Sequence, residues 1–340
     1  VAQHPGAREG KRPTLADVAA YAGVSTALVS IVMRDAKGAS AQTRERVLQA
    51  AKDIGYRPDT RARMLRRSRS RLLGVQFGLH NPFHSDLVEG IYAAAEKAGY
   101  DVALSAVAPS RSEQRAVEML LADRCEAVIL LGPQAPAAQL AELVGRLPVV
   151  AVARRLREPS ADVVRTADAE GVRLAVDHLV ELGHQDIVHI DGGKAPGASD
   201  RRRGYRTAMR RHGLAEHINV LPGGLTEEEG AAAARDVLTT RPRPTAVIAF
   251  NDHCATGVLD VFLRSRVRVP ADISVVGFDD SRLARLSHVS LTTVGQDAAR
   301  IAELAVARAV ARLDGEHVPD REIVVPPRFV IRRTTAARPG

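Results

Sequence analysis

Six arginines crowd residues 61–71 in the run DTRARMLRRSRSR, where the one acid is Asp59. Cations this close repel one another, and a helix of about ten residues is marginal alone in water. Phosphates beside them would remove the repulsion and let the segment fold. Leu65 is an apolar residue inside the run with no obvious core to join. It suits a wedge between base steps in a minor groove. A disordered basic linker has the same composition, so the neighbouring elements must decide.

Those elements are short helices. Thr14 followed by Asp17 has the form of a capping box, which starts a helix at Leu15. Leu15, Val18, Ala19 and Ala22 then share one face, and Gly23 stops the helix and permits a turn. Ser25 is placed to cap a second helix, with Leu28, Val29 and Val32 inward. Thr26, Ala27, Ser30, Ile31 and Arg34 are left facing out. Ser40 caps a third helix with an apolar stripe of Val47, Leu48, Ala51 and Ile54. Lys37, Arg44 and Arg46 lie near its start, where a phosphate could sit. This order fits a helix-turn-helix with its second helix in a DNA major groove, although a small three-helix bundle with a solvated face gives the same pattern.

Charge supports the nucleic-acid reading. Residues 1–71 hold 15 Lys and Arg against 6 Asp and Glu, a surplus of nine in a chain whose formal total is +8. A basic headpiece thus precedes a near-neutral body. The chain has 340 residues, 45% of them apolar but only 3% aromatic, so its core must be Ala, Val, Leu and Ile. The polar start VAQHPGAREGKRP has no apolar stretch of the secretory kind, and no run approaches the ~20 residues of a membrane helix. A cytoplasmic protein without membrane contact is expected. Cys125 and Cys254 lack partners at metal spacing and read as buried thiols. Neither a metal nor a cofactor is expected.

From Leu72 the pattern changes to strand, helix, strand. LLGVQFGL, DVALSAVA, EAVILLG, PVVAVA, DIVHIDG, TAVIAFND and ISVVGFDD alternate with helical stretches, which argues for parallel sheets covered on both faces. About ten strands are too many for one comfortable sheet, so two doubly wound subdomains are expected. Ligands of such sheets sit outside the carboxyl ends of the strands. Those ends carry Asn81 and Phe83, Arg154, Asn251 and Asp252, and Asp279 and Asp280. Arg201 falls in the loop between Asp191 and Tyr205, and Gln296 near a crossover between subdomains. Asp252 and Asp280 read equally well as helix N-caps, and His184 as following a helix that ends at Gly183. Ring stacking against a ligand would fall to Phe83 or Tyr205.

Taken together, the motifs resemble the lac-repressor (LacI/GalR) family of bacterial transcription regulators along nearly the whole chain. TLADVAAYAGVS, SAQTRERVLQAAKDIGYRPD and the Ala62 to Leu65 spacing resemble that family's headpiece and hinge helix. GVQFGLHNPFHSDLVEGI, HLVELGHQDIVHIDG, PTAVIAFNDHCATGVL, VPADISVVGFDD and LTTVGQD resemble its effector-binding core. The resemblance implies base contacts from Thr26, Ala27 and Ile31, and entry of Ala62 and Leu65 into the minor groove of a palindromic operator. It implies a periplasmic-binding-protein-like core in which Phe83, Arg201, Asn251 and Asp279 line the effector cleft. Arg154 and Gln296 complete the candidate cleft set. Thr14, Ser25, Ser30, Arg34, Arg44 and Arg57 complete the candidate DNA set.

Two departures matter. Most relatives carry Arg at Ile31 for a bidentate guanine contact. Ile31, like Ala27, can touch a thymine methyl, with Arg34 taking a polar contact, or it packs on the bundle. Many relatives carry Asp at the position of Ala153, so an acceptor is lost from the cleft. The domain plan expected is a flexible tail (1–11), a helix-turn-helix domain (12–58), a hinge helix (59–71) and an effector core (72–340). Its first subdomain takes about 72–166 and 296–324, and its second about 167–295 and 325–335. The expected partners are double-stranded operator DNA, a sugar or related metabolite, and a second copy, since no leucine heptad follows the core to make a tetramer. The competing readings are a free sugar-binding receptor and an enzyme. The second lacks a phosphate loop, a nucleophile elbow or a metal set.

Overall fold

The computed structural model describes residues 13–33, 36–56, 69–156 and 161–338. Contacts divide the chain between Ser70 and Arg71.

The first unit holds three helices, α1 (Leu15–Ala22), α2 (Thr26–Met33) and α3 (Ala41–Asp53). Thr14 caps α1 reciprocally: its hydroxyl accepts from Asp17 N at 3.4 Å, and the Asp17 carboxylate accepts from Thr14 N at 2.7 Å. Gly23 sits at φ 63°, where a side chain would be strained, and lets the chain turn at once into α2. Ser25 Oγ accepts from Leu28 N at 3.2 Å, and Ser40 Oγ from Thr43 N at 3.2 Å. The core is Val18, Ala19, Ala22, Val29, Val32, Val47, Ala50 and Ala51. Leu48 departs from expectation: it is 50% exposed, and Ala50 is buried in its place. The buried face of α3 follows 47, 50, 51 and 54, and Leu48 stands about 100° round the helix from Val47. Leu28 is half-buried where full burial was expected.

The second unit carries two six-stranded sheets. The first contains β1 (Leu72–Gly78), β2 (Asp101–Val107), β3 (Ala127–Leu131), β4 (Val149–Val152), β5 (Asp162–Thr166) and β11 (Glu322–Val325), in the order β11-β5-β4-β3-β1-β2. All its pairs are parallel. Helices α4 (Phe83–Lys97) and α11 (Ala298–Leu313) share one core cluster with its strands, and α5 (Glu113–Ala122) and α6 (Ala137–Val144) share another. The second sheet contains β6 (Ile187–Asp191), β7 (Asn219–Pro222), β8 (Ala246–Ile248), β9 (Ser274–Asp279), β10 (Thr292–Gly295) and β12 (Arg328–Val330). Its order is β12-β10-β9-β8-β6-β7, with β12 antiparallel at the edge. Helices α7 (Asp168–Glu181) and α8 (Ala198–Arg211) cover one face, and α9 (Glu227–Thr239) and α10 (Asp252–Arg264) the other.

Two doubly wound parallel-sheet subdomains are what the alternating apolar runs predict. Twelve strands are present among the described residues rather than about ten. One strand that the apolar runs miss is β5, whose Asp162 and Arg165 are buried by pairing. Asp162 accepts from Arg312 at 2.8 and 2.9 Å and from Arg308 at 3.1 Å, while Arg165 Nε donates to Glu322 at 2.7 Å. The chain passes between subdomains three times, after β5, after β10 and after β11. Cys125 and Cys254 are both free and buried. Gly183 follows α7 at φ 86°, and the buried His184 behind it is within hydrogen-bond reach of Thr245 Oγ1, at 2.9 Å, and of the Ala336 carbonyl, at 3.0 Å.

Candidate functional site

In the headpiece, α1 and α2 meet at 107°, inside the range of helix-turn-helix pairs. Thr26 and Ala27 stand exposed on the first turn of α2, while Ser30 and Ile31 are half-buried. Ile31 lies against the turn before α3: a side chain built on Gly38 would meet its Cδ1 and Cγ2 at 3.8 Å. It does not join the buried core, so it packs on one side and stays open on the other. Thr14 and Ser25 use their hydroxyls as caps. Arg44 donates from Nη2 to the Ala36 carbonyl at 2.9 Å and braces the same turn. Arg34, Arg57, Ala62, Leu65 and the basic run 57–68 lie outside the described residues.

In the core, the strand ends bring together five of the six expected cleft residues. Phe83 opens α4, Asn251 precedes α10, Asp279 ends β9 and Gln296 follows β10. Arg201 lies in the first turn of α8 rather than in a loop. With Asn81, Ala153, Asp168, Pro196, Leu225 and Phe250 they line a cavity of about 20 Å³ between the subdomains, room for about one water molecule. Two larger spaces adjoin it. One of 780 Å³ shares Asp168, and one of 410 Å³ shares Phe83 and Asp279. Arg154, the sixth residue, lines the 780 Å³ chamber instead.

The second-subdomain wall is a closed network. Arg201 Nε donates to Asp168 Oδ1 at 2.8 Å and its Nη1 to the Phe250 carbonyl at 2.6 Å; its Nη2 lies 3.8 Å from Asp279 Oδ1. The guanidinium is also stacked, 3.5 Å from the Phe278 ring centroid and 4.6 Å from that of Phe250. Gln296 Nε2 donates to Asp279 Oδ1 at 2.7 Å, and its Oε1 accepts from Thr166 Oγ1 at 2.5 Å. Burial pushes the Asp279 carboxyl up to about 8, against the pull of Arg201, with Asp252 and Asp168 adding repulsion. Asp168 is raised by burial for the same reason, with Arg201 opposing. Asp279 takes φ 118°, a strained setting that aims its side chain from the strand end.

Several roles differ from those expected. Asn251, not Asp252, caps α10: its Oδ1 accepts from Cys254 N at 2.8 Å and its Nδ2 donates to the Leu225 carbonyl at 3.0 Å. Asp252 turns toward Thr293 Oγ1 (2.6 Å) and Ser281 N (2.7 Å), and burial lifts its carboxyl to about 6. Asp280 is no cap either. It gathers Arg332, Arg285 and Arg328 at 2.5, 3.1 and 3.4 Å. Tyr205 is buried in the second core, its hydroxyl donating to the Ile187 carbonyl at 2.6 Å, and cannot stack on a ligand. Asp168 and Phe250 are the residues that the strand-end argument missed. Asp168 follows the unrecognised β5, and Phe250 is the apolar residue just before Asn251.

The polar side chains of this wall are paired with one another or with backbone groups. Among the described residues no group of three or more His, Cys, Asp or Glu could hold a metal ion, and no single helix is long and apolar enough to cross a membrane.

Two family models match the chain. One describes bacterial regulatory proteins of the lacI family, over residues 14–59, and the other a periplasmic binding protein-like domain, over residues 176–335. The HTH-type transcriptional repressor CytR of Escherichia coli (strain K12) is 30% identical over 331 residues, 96% of this chain and 97% of that one. The crystal structure of a LacI transcriptional regulator from a Rhodococcus species is 54% identical with a TM-score of 0.76, covering 79% of this chain and all of that one. The lac repressor dimer bound to operator and the anti-inducer ONPF is 31% identical with a TM-score of 0.80, covering 96% of this chain and all of that one. All three are named as transcription regulators or repressors. The chain belongs to the lacI family of bacterial regulatory proteins.

Proposed function

We propose that the protein is a ligand-controlled cytoplasmic repressor that binds a palindromic operator as a homodimer, with a small sugar-like effector in the cleft between its subdomains. The observation that carries the DNA half is the 107° pair of capped helices with Thr26 and Ala27 exposed on the leading turn of the second. In this reading Thr26, Ala27 and the open side of Ile31 meet base edges. Ser30, Arg34, Arg44 and Arg57 lie along the backbone, and Ala62 and Leu65 enter the minor groove. Ile31 can contact a thymine methyl but cannot grip guanine, so A·T pairs are favoured where it lands.

The effector half rests on the strand-end network. Phe83 offers the cleft an apolar face, and Arg201, Asp279 and Gln296 offer oriented polar groups. The central cavity of about 20 Å³ admits no sugar, so a ligand that reaches Arg201 and Gln296 from an adjoining 780 or 410 Å³ space must part the two walls there. The two subdomains then reorient, and the segment 59–71 gains or loses helical order. Couplings of this kind change operator affinity by about 5–150-fold.

The test is selection of the tightest binders from random duplexes at fixed salt, read by fluorescence anisotropy. A palindrome bound at least a thousandfold over bulk DNA is the expected result. Weak, sequence-blind binding that falls steeply with salt overturns the repressor reading.

A further inference from the structure

Three carboxyls and one guanidinium meet where the end of β9 faces the starts of α7, α8 and α10. Asp168, Asp252 and Asp279 are 4, 0 and 7% exposed, and Arg201 beside them 5%. Fully ionised, the set would carry two uncompensated negative charges in a space nearly without water. Burying such charge is strongly unfavourable, and a bound proton relieves it.

The donors decide which acid takes the proton. Asp168 accepts directly from Arg201 Nε at 2.8 Å. Asp252 accepts from Thr293 Oγ1 at 2.6 Å and from Ser281 N at 2.7 Å. The Asp279 carboxyl accepts from Gln296 Nε2 at 2.7 Å and lies 3.8 Å from Arg201 Nη2, so it is the least supported of the three as an anion. Thr166 Oγ1 donates to Gln296 Oε1 and keeps the amide nitrogen turned to Asp279 Oδ1, which leaves Oδ2 for a proton. Asp279 also lines the central cavity, opposite the uncharged Phe83 and Ala153. Parting the walls there would wet this carboxyl, and water favours its anion.

We propose that closure of the cleft is proton-linked: Asp279 holds a proton while the walls are together and gives it to water when they part. The functional consequence rests on the effector reading: an effector that parts the walls releases a proton and binds more tightly as pH rises. The closed form holds the proton up to about 8, against 3.8 for an ordinary aspartate. Its advantage is therefore complete below the lower value, falls by up to about tenfold per pH unit between the two, and is gone above the higher. Other charged groups face Asp279 across the 410 Å³ space: Asp86, Glu89 paired with Arg282 at 3.0 Å, and His253 paired with Glu227 at 2.6 Å.

The test uses the full chain and needs neither effector nor operator, so its failure is separate from failure of the regulator reading. Infrared titration of the parent chain should show a protonated carboxyl band that fades with a midpoint near pH 8 and is missing in Asp279→Asn. Opening is read in Ala153→Cys, whose thiol faces the central cavity. Its labelling, followed by peptide mass apart from the buried Cys125 and Cys254, is divided by that of a free thiol at each pH. The ratio should rise by up to about tenfold per unit from about pH 6.5 to 8 and level off above. Adding Asp279→Asn should hold it within about twofold, whereas His253→Gln should leave the rise intact. The proposal is overturned by a parent chain that loses no protonated carboxyl near pH 8, by a flat ratio, or by a rise that survives Asp279→Asn or disappears in His253→Gln. The parent's infrared titration decides the protonation even where Asp279→Asn fails to fold.

Discussion

The two walls of the cleft are built on opposite plans. On the second subdomain Asp168, Arg201 and Asp279 are held together, with Gln296 from the connecting segment, the Phe250 carbonyl and two aromatic rings closing the set. On the first, Phe83 and Ala153 are apolar, and Arg154 keeps a nitrogen with no partner. A wall whose groups satisfy each other holds its shape with or without a guest. A wall with an idle donor gains most when one arrives. Under the proposed effector binding, the second subdomain is the template and the first the side that responds.

The sharpest way to break this contrast is to remove the same group from each wall. Arg201→Ala leaves two buried carboxyls without their cation and should cost about 3–5 kcal/mol in urea unfolding. Arg154→Ala should cost under about 1 kcal/mol, because no ion pair or Nη1 hydrogen bond is lost. Equal costs would erase the distinction. Gly132 comes next in size. It follows the first-wall strand β3 at φ 58°, and a Cβ there would lie 2.5 Å from Pro196 Cγ on the other wall. Gly132→Ala should cost about 1–2 kcal/mol from the backbone alone, and more if the first wall cannot retreat from Pro196.

The next expectation concerns pH. Asp279 is held protonated up to about 8, far above the 3.8 of an ordinary aspartate, and Asp252 up to about 6. The folded state therefore binds more protons than the unfolded one, and stability falls as pH rises from about 4 to 8. Burial does the reverse to His84 and His189, lowering them from 6.5 to about 4, so they add stability as pH rises over that lower range. Between pH 6.5 and 8 only the Asp279 effect remains among these four groups. Urea midpoints should fall across that window in the parent chain, and Asp279→Asn should flatten the fall.

The fold was legible where burial is written in apolar runs. β3, β4 and β8 are continuous Val, Ile, Leu or Ala stretches, and β1, β6 and β9 are mostly apolar runs broken by a few polar residues or glycines. β5 was not, because DVVRT hides its burial behind charges answered by Arg308, Arg312 and Glu322, far away in sequence. Missing that strand also hid Asp168, which stands just past its end. The site was legible to the extent that strand ends are: Phe83, Arg201, Asn251, Asp279 and Gln296 converge. Their division of labour was not. Whether Asn251 or Asp252 caps α10 depends on backbone φ and ψ and on Thr293, and nothing in the string FNDHC separates the two. Arg154 belongs by sequence to the same set, yet it turns to the adjoining chamber as the chain leaves β4 through Ala153 at φ 60°.

The three passages between subdomains differ in stiffness. One is the single residue Ala167, one is Gln296 and Asp297, and one is Pro326 and Pro327. Prolines fix φ, so the last link acts as a pivot that bends little along its length. Three short tethers, one of them rigid, suppress sliding and leave mainly a swing about the line through them. Gln296 is both a tether residue and the clamp on Asp279. Under the proposed effector binding, a guest that draws Gln296 from Asp279 loosens a contact that sits beside the line of the three tethers.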